Sequence, residues 1–167
     1  MKRTIVLAVW ITAAVVLASC GSHSSPGSDP QASSTSAAPA VTANGPAATS
    51  QYDGGPRAAD TPIDESKVAQ GQQLFQTKGC SACHTFGQKL TGPDLAGVTH
   101  RRTAAWMEHQ ILHPEIMTKE DPISHELFAK FALQMPNQGL TPEEAAAVVE
   151  FFKHKDHEAA ESASKGE

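Results

Sequence analysis

The chain opens on an almost unbroken apolar run from Thr4 to Ser19. It then loses every hydrophobic period for the forty residues from Gly21 to Asp60, and finally sets apolar side chains at helical spacing in four patches between Ile63 and Lys155. In the first patch, Val68, Leu74 and Phe75 share a side and Asp64 or Ser66 stands ready to cap, which predicts a helix through Lys78. Thr103 caps a second predicted helix through Leu112, closed by Pro114. Asp121-Pro122 starts a third, with Leu127, Phe128 and Phe131 as its inner face. The fourth has the fullest signal: Thr141 as cap, Pro142 at the first position, Glu144 reaching back, then Ala147, Val148, Val149, Phe151 and Phe152 up to His154. No stretch alternates as a strand would, and there is no internal repeat. The expected fold class is all-α.

The apolar run is too short to span a bilayer, which takes about 20 apolar residues. With Lys2 and Arg3 before it and small residues after it, it reads as a secretory signal. Its end, Leu17-Ala18-Ser19-Cys20, resembles a bacterial lipobox. That resemblance implies cleavage before Cys20, lipid on its thiol, and a mature protein exported and held on a membrane facing the periplasm or cell exterior. The expected order is a signal at 1–19, the lipid-anchor cysteine and a linker at 20–62, a domain at 63–155 and a polar flexible tail at 156–167. Thirty of the forty residues from Gly21 to Asp60 are Gly, Ser, Ala, Pro or Thr, a composition that cannot bury enough apolar surface to order itself. His23 within it is read as an idle, solvated side chain.

Charge narrows the function. The chain carries 13 basic and 18 acidic side chains; losing Lys2 and Arg3 with the signal leaves 11 against 18. Such an acidic balance argues against nucleic acid as a partner. Aromatic residues are only 5% of the chain, thin for a core unless a large apolar group fills it.

The segment Gly79-Cys80-Ser81-Ala82-Cys83-His84 supplies a candidate for that group. Two thiols two residues apart can add to the two vinyl groups of one haem, and the next histidine then lies where it can bind the iron. A redox dithiol would want a strand before the pair, which is absent; zinc would want four ligands, and there is no second cysteine pair. The other axial position needs a ligand or stays open. Met135, before Pro136 in an irregular stretch, is the leading candidate, because a residue before proline is biased to extended backbone. Met117, placed in a loop after Pro114, is the alternative. Met107 reads as core, and His100, His109, His113 and His125 are rival ligands. Either methionine can also be plain filler.

In order along the chain, these features resemble a class I, bacterial monohaem cytochrome c domain over Asp64 to Lys155. Gly71, Leu74 and Phe75 match its first helix, Phe151 and Phe152 the aromatic positions of its last, and Cys80-Ser81-Ala82-Cys83-His84 its haem motif. Gly92-Pro93-Asp94-Leu95 matches the loop whose proline carbonyl accepts from the proximal histidine, so Pro93 would hold His84. Met135-Pro136 is similar to the distal loop. Arg101, Arg102 and Trp106 lie where members place donors to a haem propionate, although a solvated arginine pair and a core tryptophan fit as well. The segment Pro114 to Leu133 departs from the pattern by an extra helix.

The resemblance implies a small helical domain wrapped around one covalent haem c, with His84 and Met135 on the iron. It further implies a carrier of single electrons, not an enzyme, whose partner is a redox protein or membrane respiratory complex. Lys78 and Lys89 beside the motif offer a small positive collar, or are simply solvated. Two other readings stand: a haem module with an open distal site that senses or binds CO, NO or peroxide, and a metal-handling lipoprotein using His154 and His157.

Overall fold

The computed structural model describes residues 49–166, so the expectations for the signal, Cys20 and most of the linker concern residues outside those described. Six α-helices follow in order: α1 (Glu65–Thr77), α2 (Val98–Arg101), α3 (Ala104–Leu112), α4 (Pro114–Glu120), α5 (Pro122–Phe131) and α6 (Pro142–Lys165). Short 3₁₀ turns occupy Ala58–Asp60 and Cys80–Ala82. There is no strand among the described residues, so the all-α expectation holds.

The predicted caps explain where the helices start. Asp64 accepts from the N–H of Ser66, Thr103 from that of Trp106 and Asp121 from that of Ser124. Thr141 and Glu144 complete a reciprocal capping box. Each satisfies an N–H that its helix leaves without a partner. Pro114 closes α3, as expected, and also opens α4, where its missing N–H costs nothing.

The core lies between α1 and α6. Val68, Leu74 and Phe75 from α1 meet Val148, Phe151 and Phe152 from α6, and Phe86 packs beside them. The rings of Phe75 and Phe152 meet edge-on at 5.9 Å between centroids. Gly71 permits the close crossing, since a Cβ there would lie 2.0 Å from the Ala147 carbonyl oxygen.

The domain is longer at both ends than its hydrophobic pattern suggests. Linker was expected up to residue 62, yet Ala58 is buried and donates its N–H to the Arg102 carbonyl at 3.0 Å. Asp53 accepts from the Thr103 N–H at 2.8 Å, and Arg57 donates to the Arg101 carbonyl at 2.8 Å. At the other end, the residues assigned to a polar tail continue α6 to Lys165, and Asp156 is buried. Its carboxylate accepts from the Gly97 N–H at 2.6 Å, the Thr99 N–H at 3.0 Å and the Thr99 hydroxyl at 2.6 Å. It thereby ties the start of α2 to α6. Asp156→Ala would leave those buried donors unpaired, and a stability loss of about 2 kcal/mol is expected from urea unfolding of the haem-loaded protein.

Candidate functional site

Gly79, at a φ of 78°, turns the chain out of α1 and into the Cys80–Ala82 turn. The N–H groups of Cys83 and His84 both donate to the Cys80 carbonyl, at 3.1 and 3.0 Å. This tight turn brings Cys80, Cys83 and His84 to the wall of one cavity. Both thiols are free and half-buried. Burial pushes the Cys80 thiol above its usual pKa, with the neighbouring Cys83 adding to the effect, so it stays protonated near neutral pH.

His84 Nδ1 lies 2.9 Å from the Pro93 carbonyl oxygen, the contact implied by the family resemblance. A carbonyl only accepts, so Nδ1 carries the proton and Nε2 keeps its lone pair for a metal. The loop is built around this contact. Gly92 donates its N–H to the Cys83 carbonyl at 3.0 Å, and Asp94 Oδ1 accepts from Gly87 at 2.7 Å and Ala96 at 2.9 Å. Those backbone donors hold the Asp94 carboxyl below its usual range. A Cβ on Gly92 would lie 2.6 Å from His84 Cε1. Gly92→Ala is therefore expected to displace the imidazole and cost about 1–3 kcal/mol. Unfolding midpoint and haem yield per chain would both fall.

The remaining wall is mostly apolar, with Leu95, Val98, Ile111, Leu127 and Phe131 among its side chains. Leu127, Phe128 and Phe131, the expected inner face of α5, border this cavity; Leu127 also packs against the core, and Phe128 is exposed. Met135 borders it too, from the loop between α5 and α6. Asn137 anchors that loop by donating to the Leu112 carbonyl at 2.7 Å, and Gln134 by donating to the Pro114 carbonyl at 3.2 Å. Met117 is not a loop residue: it lies in α4, fully buried and away from the cavity wall. None of His100, His109, His113 and His125 borders the cavity.

Arg102 and Trp106 both border it, with the guanidinium 5.1 Å over the indole. The Trp106 ring N–H and the Nη1 of Arg102 are already engaged. The Trp106 ring N–H donates to the buried Asp121 carboxylate at 3.2 Å, so the expected propionate donor is instead a link to the start of α5. Arg102 faces Asp53 at 3.6 Å and donates to the Arg101 carbonyl at 2.8 Å. Burial lowers the pKa of its guanidinium and the Asp53 charge opposes that shift. Lys89 sits over the Phe131 ring at 5.0 Å. His154 lies between Glu65 and Glu158, at 3.5 and 3.3 Å, while His157 is exposed. No group of three metal-ligating His, Cys, Asp or Glu occurs among the described residues.

Gln110, Ser124 and Asp53 escaped sequence reasoning. Gln110 stands one helical turn after Trp106, a spacing that signals a shared side of α3, but nothing local shows that its amide reaches Met135.

The sequence pattern of the cytochrome c family matches residues 68–155. The chain belongs to the cytochrome c family. It is 30% identical over 83 residues to cytochrome c-551 of Ectopseudomonas mendocina, covering 50% of this chain and 94% of that protein. Cytochrome c-551 of Azotobacter vinelandii is 48% identical over 29 residues, 17% of this chain and 35% of that one. The solved structure of a cytochrome c from Rhodothermus marinus superposes with a TM-score of 0.56 at 29% identity, over 61% of this chain and 96% of that one. As a cytochrome c, the chain takes covalently bound haem c, and Cys80 to His84 has the form of the attachment sequence. The family's chemistry is haem-based electron transfer. The cavity suits the group: two thiols on one turn, an imidazole whose Nδ1 is already bonded, a thioether, and apolar walls.

Proposed function

We propose that this cytochrome c is a membrane-tethered monohaem electron carrier whose iron is held by His84 and Met135. The observation that carries this reading is the pairing of His84, oriented by Pro93, with Met135 on the wall of the same apolar cavity. Cys80 and Cys83 would hold the haem covalently. With both axial positions filled, the group supplies reversible one-electron exchange and no open site. The protein's share is to fix both ligands, exclude water and keep the imidazole orientation constant. Held ligands keep structural change small as the charge alternates.

Export and anchorage rest on the signal-like run and Cys20. No helix among the described residues is long and apolar enough to cross a membrane. Attachment would come through lipid on Cys20. The tether would raise encounters with a redox protein or membrane respiratory complex near the surface. Lys89 and Lys130, both near the Phe131 ring, would give a partner a cationic edge.

The test is an absorption spectrum of the purified, haem-loaded protein, oxidised and reduced, with and without CO. A low-spin spectrum with the weak long-wavelength sulfur–iron band, indifferent to CO, is expected. A high-spin spectrum or ready CO binding would replace this reading with a ligand-sensing module.

A further inference from the structure

The distal loop is held by more than its own sequence. Gln110, on α3, donates its side-chain N–H to the Met135 sulfur at 3.7 Å. The other end of the same amide accepts from the Ser124 hydroxyl, on α5. In this arrangement the amide oxygen accepts from Ser124 and leaves the nitrogen facing the sulfur. Ser124 is buried and its own N–H is bound at 2.8 Å by Asp121, which also takes the Trp106 ring N–H. A hydrogen-bonded chain therefore runs from Trp106 through Asp121, Ser124 and Gln110 to Met135.

We propose that Gln110 is a positioning and tuning residue for the Met135 thioether, and that Ser124 orients it for that role. This rests on the reading of Met135 as an iron ligand. A thioether sulfur has two lone pairs, and an N–H on one draws electron density from the other. A poorer donor favours the reduced metal over the oxidised one. The same bond restricts the swing of a flexible methionine side chain and hinders its exchange for outside ligands. On this view α5 helps to hold the distal ligand, because it supplies the hydroxyl that fixes the amide.

The experiment compares the haem-loaded wild type with Gln110→Leu, Ser124→Ala, Ser124→Thr and Met135→Ala. Leucine keeps the bulk at position 110 without offering a ligand, and Ser124→Thr keeps the hydroxyl. At a fixed applied potential, Gln110→Leu should shift the oxidised-to-reduced ratio about two- to tenfold toward oxidised, the equivalent of one hydrogen bond. It should also move the sulfur–iron band and speed CO uptake. Ser124→Ala should shift all three readouts the same way by less, and Ser124→Thr should match wild type. If Gln110→Leu folds poorly, Ser124→Ala against Ser124→Thr carries the comparison, since neither alters the backbone N–H of residue 124. A sulfur–iron band present in wild type and lost in Met135→Ala, but unmoved with an unchanged ratio in Gln110→Leu and Ser124→Ala, overturns the role of Gln110 and leaves the ligand reading intact. A band absent from wild type, or persisting in Met135→Ala, overturns both.

Discussion

Met135→Ala is expected to abolish the sulfur–iron band, make the reduced protein bind CO, and lower its potential by a sizeable part of the roughly 0.8 V over which axial ligands set haem potentials. The expectation follows from what else borders the cavity. Met107 is there too, but it lies inside α3, nearly fully buried and held in the core. The four candidate histidines are elsewhere, and Met117 packs into α4. No second side chain is set to replace the thioether. The fold should survive, because Asn137 and Gln134 pin the distal loop to backbone carbonyls whether or not the methionine side chain is present. Spectra with and without CO, together with potentiometry, measure all three effects. An unchanged spectrum would place the distal ligand at another residue.

Gly71→Ala is expected to cost roughly 3 kcal/mol or more, at the upper end of what overpacking does. The added Cβ would lie 2.0 Å from the Ala147 carbonyl oxygen, 2.6 Å from its carbon and 2.9 Å from Phe151 Cβ. Two of those atoms are backbone, so nothing flexible can give way and α1 must part from α6. Alanine's better helix propensity returns only about 1 kcal/mol. Because α1 leads directly into the Cys80 turn, the displacement reaches the attachment residues as well. Urea unfolding of the haem-loaded protein would report the loss, with a fall in haem yield beside it. Gly54→Ala is the control: no atom lies within 4 Å of its added Cβ, and a change within about 0.5 kcal/mol is expected.

Local chemistry was readable from the sequence and distant chemistry was not. Thr141 and Glu144 satisfy each other across three residues, so their box is visible in any window that contains both. Asp156 binds partners 57 and 59 positions away, and nothing around it marks it as buried; a polar run was the natural reading. The N-terminal side failed for the same reason. Asp53, Arg57 and Ala58 sit in Gly- and Pro-rich sequence, and only their bonds to residues 101–103 bring them into the domain. Trp106 is readable from the sequence as either a propionate donor or a core side chain; its ring N–H bond to the buried Asp121, fifteen residues on, has no local signal.

The sequence by itself determined α1, α3, α5 and α6, since caps and hydrophobic spacing act within a few residues; α2 and α4 were not legible in it. It also carried the Cys80–His84 motif and the family, since both are orders of residue types along a chain. Only the tertiary structure shows that Met135, and not Met117, borders the cavity. Each follows an interrupted helical pattern, and no local feature says which sulfur faces the cavity. The packing of α4 turns Met117 into the core, while the loop pinned to Leu112 and Pro114 leaves Met135 at the wall, beside an amide supplied by one helix and oriented by another.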